Sequence, residues 1–323
     1  MFGFLRSRPA SPPAPKPCGQ TQVGCFGKLP VQCEFIKHNI AHREAQALDQ
    51  WVQGGVSLAA RHGGAGTPGQ AWIRHGIFGG TWEEAPVVFS IRPSADRSGR
   101  QYPFVVFQVL GAREREIWPG ALALHAEGFL EAAVHLLSQP WSNEPLRTVL
   151  GWVDRIDAGP RRPAAGLPSE LGAQEFLDGL YFGLSQAARL SHLNRAVELF
   201  RQVERRTAPR VGWGLRLPLE QAAPARSIQW WLRLAERIIG RGRWRPCFLW
   251  QPGTPTDDPG LLLFFRTPPA ALLANLLQGR SLDATVVDPF HEPMPATDAG
   301  LGRLPSTSSE LLESLVAGGR RPS

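Results

Sequence analysis

Short apolar runs that alternate with longer amphipathic stretches constrain the fold of this chain most strongly. Pro86 to Ile91 and Tyr102 to Leu110 are rich in Val and Phe, and they predict two buried strands. Residues 42–62 and 119–138 carry apolar side chains at helical spacing and predict helices. Because strands and helices interleave in both halves, the sequence predicts an α/β protein with a sheet covered on both faces.

The C-terminal half is predicted to be rich in helix. Apolar residues at helical spacing recur along most of it, and a turn-rich stretch separates two apolar runs in the manner of a hairpin with a long loop. The predicted helices cover 170–206, 225–240 and 269–278, and the predicted hairpin strands cover 245–250 and 261–266.

Composition divides the chain of 323 residues into four predicted parts. Residues 1–20 form a Pro-rich disordered tail, since five prolines lie between Ser7 and Gly19. Residues 21–140 form a first α/β domain. Residues 141–290 form a part of helices and a hairpin that packs on the first domain or continues it. Residues 291–323 form a flexible tail, as chain ends often do.

The cysteines and the N-terminus favour a cytoplasmic protein. No run approaches the ~18 apolar residues that a membrane helix needs, and the first nine residues lack the apolar core of a signal peptide. The four cysteines contain no CxxC pair and the eight histidines are scattered. We therefore expect reduced thiols, no metal site and no cofactor.

Basic charge is concentrated in one segment. The net charge is +7, and 32 of the 35 basic residues are arginine. From Arg189 to Arg245, 13 arginines face four glutamates, which gives a local charge of +9 and leaves −2 for the remainder. Such a segment can bind nucleic acid, acidic lipid or an acidic protein. Alternatively, it forms the solvated faces of two amphipathic helices, and the single-strand platform of interleaved aromatics is missing.

Three matches to nucleotide or hydrolase motifs fail in context. Gly64 to Gly69 spells GxGxxG, but a predicted helix precedes it and Pro68 lies inside it. Gly24 to Lys28 is too short for a phosphate loop and lacks the following Ser or Thr. The segment Gly183-Leu184-Ser185 lacks the second glycine of a nucleophile elbow.

Two other segments are candidates for function. In the first, Gly27 lies beside Lys28 in a predicted strand, where a glycine permits another backbone to approach closely. In the second, a polar turn joins the two Val- and Phe-rich strands, with Asp96 and Gly99 as turn residues.

Two arginines flank this turn. The planar forks of Arg97 and Arg100 suit a carboxylate or a polar partner surface. One of them could instead fold back onto Asp96 and fix the loop without any partner.

Together these segments resemble the TagF family, also called ImpM, of proteins associated with bacterial type VI secretion. The family opens with an aromatic residue and GKLP, followed by Arg-Gly-Asp-Phe, a helix with Trp-Asp-x-Trp, and Ser-x-Asp-Arg-x-Gly-Arg-x-x-Pro. The matching residues are Gly27, Lys28, Leu29, Pro30, Trp51, Ser94, Asp96, Arg97, Gly99, Arg100 and Pro103.

Two departures from the family pattern stand out. Cys33-Glu34 replaces the expected Gly-Asp, which keeps the acidic charge but moves it about one methylene outward, and Leu48 replaces the first tryptophan. The matching motifs cover roughly residues 23–110.

The resemblance implies regulation rather than chemistry. It implies a three-layer α/β/α sandwich with a mixed sheet, and a cytoplasmic, post-translational repressor of type VI secretion. The implied partner is a scaffold with a forkhead-associated domain, and the inner-membrane complex is a further candidate, which would place the protein at the membrane periphery. No nucleic acid partner is expected.

Two rival functions stay open from the sequence. The first is a hydrolase or phosphotransfer partner that uses Asp96, Arg97 and Arg100, although the sequence shows no nucleophile–base pair. The second is binding of nucleic acid or anionic lipid through the segment from Arg189 to Arg245.

Overall fold

A nine-stranded mixed sheet forms the centre of the protein in the computed structural model. The structure describes residues 21–63, 72–78, 84–111, 117–141, 144–156, 173–181, 183–240, 244–251, 260–282, 284–289 and 308–317. The Pro-rich segment 1–20 and the Gly64–Gly69 motif lie outside these residues.

The order of strands across the sheet is β2-β1-β5-β4-β3-β7-β8-β6-β9. Neighbouring strands are antiparallel except β6 and β9, which are parallel. The strands are β1 Gln22–Gly27, β2 Ile36–His38, β3 Arg74–Phe78, β4 Val87–Arg92, β5 Phe104–Val109, β6 Gly214–Pro218, β7 Cys247–Trp250, β8 Gly260–Phe264 and β9 Val286–Val287.

Helices cover both faces of the sheet and complete three layers. The described helices are α1 Arg43–Arg61, α2 Pro119–His125, α3 Glu127–Leu137, α4 Leu146–Asp154, α5 Ala173–Leu180, α6 Gln186–Arg206, α7 Pro224–Ile239, α8 Ala270–Gln278 and α9 Ser308–Ala317. Helices α1 and α8 pack together on one face, and the remaining helices share a larger core with the other face. The predicted α/β fold with a mixed sheet is confirmed.

Alternation along the strands explains why both faces are apolar. In β5, Phe104 and Val106 point into the larger core, whereas Val105 and Phe107 point towards α1 and α8. Successive side chains of a strand point to opposite faces, so a continuous Val- and Phe-rich run suits a strand buried on both sides.

The sheet runs without a break through both halves of the chain. Strand β3 pairs with β7, with Gly76 opposite Leu249. Across the outer layer, Trp51 Nε1 in α1 donates a hydrogen bond to the carbonyl of Pro268 at 2.9 Å. The two predicted parts 21–140 and 141–290 therefore share one sheet and one helical layer.

Several elements differ from the sequence-based expectations. Strands β2, β6 and β9 were not predicted, and α4 forms in a region expected to be a loop. Helix α9 lies inside the segment predicted to be a flexible tail, and its Leu311, Leu312 and Leu315 are buried in the larger core. No helix among the described residues is both long and apolar enough to cross a membrane.

Candidate functional site

The end of β1 and the β4–β5 connection come together at one edge of the sheet. Gly27 makes this approach possible, because a Cβ at its position would lie 2.1 Å from the carbonyl oxygen of Pro103. Its φ of +125° also lies in the region that favours glycine. The expected close backbone approach at Gly27 is thus present.

The connection itself is a tight turn around Asp96. The amide of Asp96 donates to the carbonyl of Arg100 at 3.0 Å, and the amide of Gly99, at a φ of +82°, donates to the carbonyl of Asp96 at 2.9 Å. The turn contacts the loop after β1, where the amide of Arg97 donates to the carbonyl of Gln32 at 3.1 Å. We call residues 28–34 and 94–101 together the two-loop surface.

The carboxylate of Asp96 is buried and saturated with hydrogen bonds. Its Oδ1 accepts from the Ser98 amide at 3.0 Å, the Ser98 hydroxyl at 2.7 Å and the Arg100 amide at 2.9 Å. Its Oδ2 accepts from Lys28 Nζ at 2.8 Å and Arg100 Nε at 2.7 Å. A carboxylate offers about four lone-pair positions, so five donors leave no room for another partner.

These contacts fix the charge of Asp96. Burial raises the pKa of the carboxyl, but the hydrogen bonds from Lys28, Ser98 and Arg100 outweigh it and hold the pKa far below its usual range. Asp96 is therefore an anion at every physiological pH. It is not available as a general base, because a general base must accept a further proton at the operating pH.

The two arginines of the turn, Arg97 and Arg100, have different side-chain contacts. Arg100 folds back: its Nε pairs with Asp96, and one terminal nitrogen donates to the carbonyl of Cys33. The side chain of Arg97 is exposed, and no partner for its guanidinium is found among the described residues. Of the two alternatives for these arginines, Arg100 takes the structural one, whereas Arg97 is left open to solvent.

The other candidate residues have different surroundings. Leu29 is fully buried in the larger core, Pro30 is half-buried, and Ser94 accepts the amide of Tyr102 with its carbonyl at 2.9 Å. Trp51 is buried in the opposite layer, away from the solvent-exposed side chains of the two-loop surface. Glu34 is exposed on the loop after β1.

A second ion pair, which the sequence analysis missed, supports the same edge. Lys37 Nζ in β2 contacts Asp49 Oδ2 in α1 at 2.8 Å, and the Asp49 carboxylate is almost completely buried. The ring of Phe35 packs edge-on against Tyr102 with centroids 4.9 Å apart. Asp49 stands in the helix at the aspartate of the family's Trp-Asp-x-Trp pattern, so the motif was the available signal.

In the two groupings that look most like hydrolytic centres, the candidate nucleophiles Ser90 and Cys25 are buried. His75 Nδ1 and Ser90 Oγ lie 2.7 Å apart, but both residues are buried, and burial lowers the pKa of His75 to about 3. Cys25 stands opposite His38, whose Nε2 lies 2.6 Å from Asp154 Oδ1. Burial, with a smaller effect of Asp154, raises the pKa of the Cys25 thiol to about 12, so the nucleophilic thiolate does not form at neutral pH.

Metal binding finds no support in the part of the chain that is described. No cluster of three or more His, Cys, Asp or Glu side chains there is placed to hold a metal ion.

Many arginines of the segment from Arg189 to Arg245 already contact partners within the protein. Arg189 contacts Asp178 and the Leu184 carbonyl, and Arg226 forms an ion pair with Glu220. At least seven of its described arginines have a partner within the protein: Arg189, Arg205, Arg216, Arg226, Arg233, Arg237 and Arg245. These contacts favour the interpretation that the segment forms the outer faces of helices.

These features define a three-layer α/β protein with a charged, two-loop surface at one sheet edge. Residues 24–148 match the family model of the TagF N-terminal domain, described as type VI secretion system-associated. The predicted resemblance to TagF is confirmed over these residues, which span β1 to the start of α4. The sequence of this part of the chain thus marks a protein associated with type VI secretion.

The crystal structure of PA0076 from Pseudomonas aeruginosa PAO1 is similar over 85% of this chain and 97% of that chain, with 18% identity and a TM-score of 0.46. A comparison with curated proteins gives no match.

Proposed function

We propose that the protein is a non-enzymatic, cytoplasmic regulator that represses type VI secretion by binding a scaffold with a forkhead-associated domain. The TagF N-terminal domain match supports the association with this secretion system. The repressor role and the scaffold follow from the family resemblance. The inner-membrane complex is the further candidate partner, reached through the scaffold.

One observation carries the proposal that the two-loop surface is the recognition site. Arg97 presents an exposed guanidinium beside a carboxylate that is already saturated by Lys28, Ser98 and Arg100. The carbonyl of Gln32 holds the backbone of Arg97 in place, and no residue that the structure describes accepts a hydrogen bond from its side chain. A rigid backbone with an unused planar fork is well suited to partner recognition.

The absence of an enzymatic role is part of the same proposal. Asp96 has no capacity for a further proton or ligand at neutral pH, and the Ser90–His75 pair has no access to solvent. Asp96 and Arg100, two of the three charged residues of the candidate hydrolase site, are thus engaged in holding the turn together.

Isothermal titration of the full chain against the scaffold protein from the same bacterium tests the proposal. We expect saturable binding at low and moderate salt for the wild-type chain. Arg97→Ala should weaken binding about ten- to a hundredfold, as the loss of a hydrogen-bonded charge does. Its melting temperature should not change.

Arg61→Ala is the matched control for this experiment. Arg61 is an exposed arginine at the end of α1, and no side-chain partner for it is found among the described residues. It should bind like the wild type. Wild-type protein that does not bind the scaffold at either salt would overturn the proposed partner, and Arg97→Ala that binds normally would remove the two-loop surface from the interface.

A further inference from the structure

We propose that Arg97 binds the carboxylate of a single aspartate or glutamate side chain of the partner protein. This inference rests on the proposed function, because it names the chemical group that the two-loop surface recognises.

The charge balance of the turn is the first argument. Lys28 and Arg100 are two cations that share the single anion Asp96, so this cluster carries an excess charge of +1. Arg97 adds a second positive charge. Asp96 cannot neutralise it, because both of its oxygens are already saturated. An anion that pairs with Arg97 must therefore come from outside the turn.

The hydrogen-bond donors that remain free on the two-loop surface favour a carboxylate over a phosphate. Arg97 offers one complete planar fork, which matches the two oxygens of a single carboxylate. A phosphate dianion is better held by several converging cations, but here Lys28 is directed at Asp96 with its side chain only 15% exposed. Arg100 is 60% exposed, but its Nε is bound to Asp96 and one terminal nitrogen donates to the Cys33 carbonyl, so fewer of its donors are free than those of Arg97.

Glu34 adds a negative charge to the two-loop surface, opposite in sign to that of Arg97. It is an exposed acid on the loop whose Gln32 carbonyl holds the Arg97 amide. A uniformly acidic ligand would be repelled by Glu34, whereas a segment with its acid placed only at Arg97 would not. The partner should therefore present a carboxylate to Arg97 and a neutral or basic residue to Glu34.

The first test uses the free full-length chain and tetraglutamate as the carboxylate probe. The Nε resonance of Arg97, assigned by its loss in Arg97→Ala, should shift with tetraglutamate at lower concentration than with inorganic phosphate. The Nε resonance of Arg226, which is paired with Glu220, is the control and should not shift. Glu34→Gln should lower the tetraglutamate concentration needed. An Arg97 resonance that is unmoved, or that responds to phosphate first, would overturn the inference.

The second test identifies the partner's carboxylate in the complex. In Arg97→Lys, a carbodiimide activates the facing carboxylate. The lysine amine then forms an amide with it, the activating group leaves as a urea, and the amine loses a proton. On this chain the only other lysines are Lys16, Lys28 and Lys37. Arg61→Lys is the matched control.

The outcomes separate this inference from the proposed function. A cross-link from position 97 to an aspartate or glutamate of the scaffold, absent in Arg61→Lys, supports both. Equal cross-linking in the two variants, or loss of binding after phosphatase treatment of the scaffold, overturns the carboxylate assignment. If tetraglutamate shifts Arg97 but the scaffold does not bind, the proposed partner fails and the carboxylate site stands.

Discussion

The two-loop surface and the segment from Arg189 to Arg245 use their guanidinium groups in different ways. In the arginine-rich segment, cations are matched by neighbours on the same helices or nearby, as Arg237 on α7 is by Glu313 on α9 at 2.9 Å. In the two-loop surface, one buried anion serves two cations, and a third cation has no partner among the described residues. The number of arginines in a segment therefore indicates less about binding than whether the fold already neutralises each one.

Gly27→Ala should have the largest effect on the two-loop surface. The new methyl group would lie 2.1 Å from the Pro103 carbonyl oxygen at a φ that side chains rarely adopt. We expect a loss of about 2–4 kcal/mol of unfolding free energy, measured by urea denaturation. Gly63→Ala, which also has a positive φ but an open surrounding, should cost less. Equal losses would show that the close approach to Pro103 is not what matters.

Asp96→Asn should lower the melting temperature at pH 7, because Lys28 and Arg100 lose their shared anion. The pKa of Asp96 is lower in the folded than in the unfolded chain, where it is near 3.8. Its contribution to stability is therefore complete above pH 4 and is lost as the pH falls towards the folded pKa. Melting curves between pH 2 and pH 7, chosen to span that range, should show the difference between wild type and Asp96→Asn shrinking in acid. A constant difference would contradict the ionic origin.

Arg189→Ala tests whether the arginines of the segment from Arg189 to Arg245 stabilise the fold. The side chain is 11% exposed and contacts Asp178 and the Leu184 carbonyl, so its loss should cost about 1–3 kcal/mol by urea denaturation. Arg206→Ala, an exposed arginine on the same helix, should change stability by less than about 0.5 kcal/mol. If both variants were equally stable, the arginines of this segment would not be structural.

The smallest effect is expected when duplex DNA is added to the protein. Because seven arginines of the segment have partners in the fold, we expect no saturable binding of duplex DNA at moderate salt, measured by fluorescence anisotropy. Tight binding that falls steeply with salt concentration would revive the alternative function and break the contrast between the two regions.

The sequence predicts best the elements that are long or strongly apolar. Strands β4 and β5 and helix α1 stand close to where their patterns placed them. Strand β2 has three residues and β9 has two, which is too short for any periodicity. Strand β6 contains a glycine and a proline, which normally argue against a strand. Helix α9 was missed although Leu311, Leu312 and Leu315 recur at helical spacing, because the segment was assigned to the frayed chain end.

For the candidate site, the sequence predicts the local turn but not the contacts between distant residues. The turn residues Asp96 and Gly99 were identified from local chemistry. An arginine folding back onto Asp96 was one of the stated alternatives, but the contact with Lys28 was not foreseen, because Lys28 is 68 residues away along the chain. Which of two arginines folds back is decided by the position of the Cys33 carbonyl, and only the tertiary structure provides it.

The pairing of β3 with β7 has a consequence for how the chain is made. Gly76 and Leu249 are 173 residues apart in sequence, so at about 5–20 residues per second the ribosome needs roughly 10–30 s to deliver the second strand after the first. During that interval one side of β3 is an open strand edge, which other chains can pair with. The segment that matches the family ends long before the partner strand is synthesised. A nascent or truncated chain that stops near residue 148 therefore exposes an aggregation-prone edge at what becomes the centre of the finished sheet.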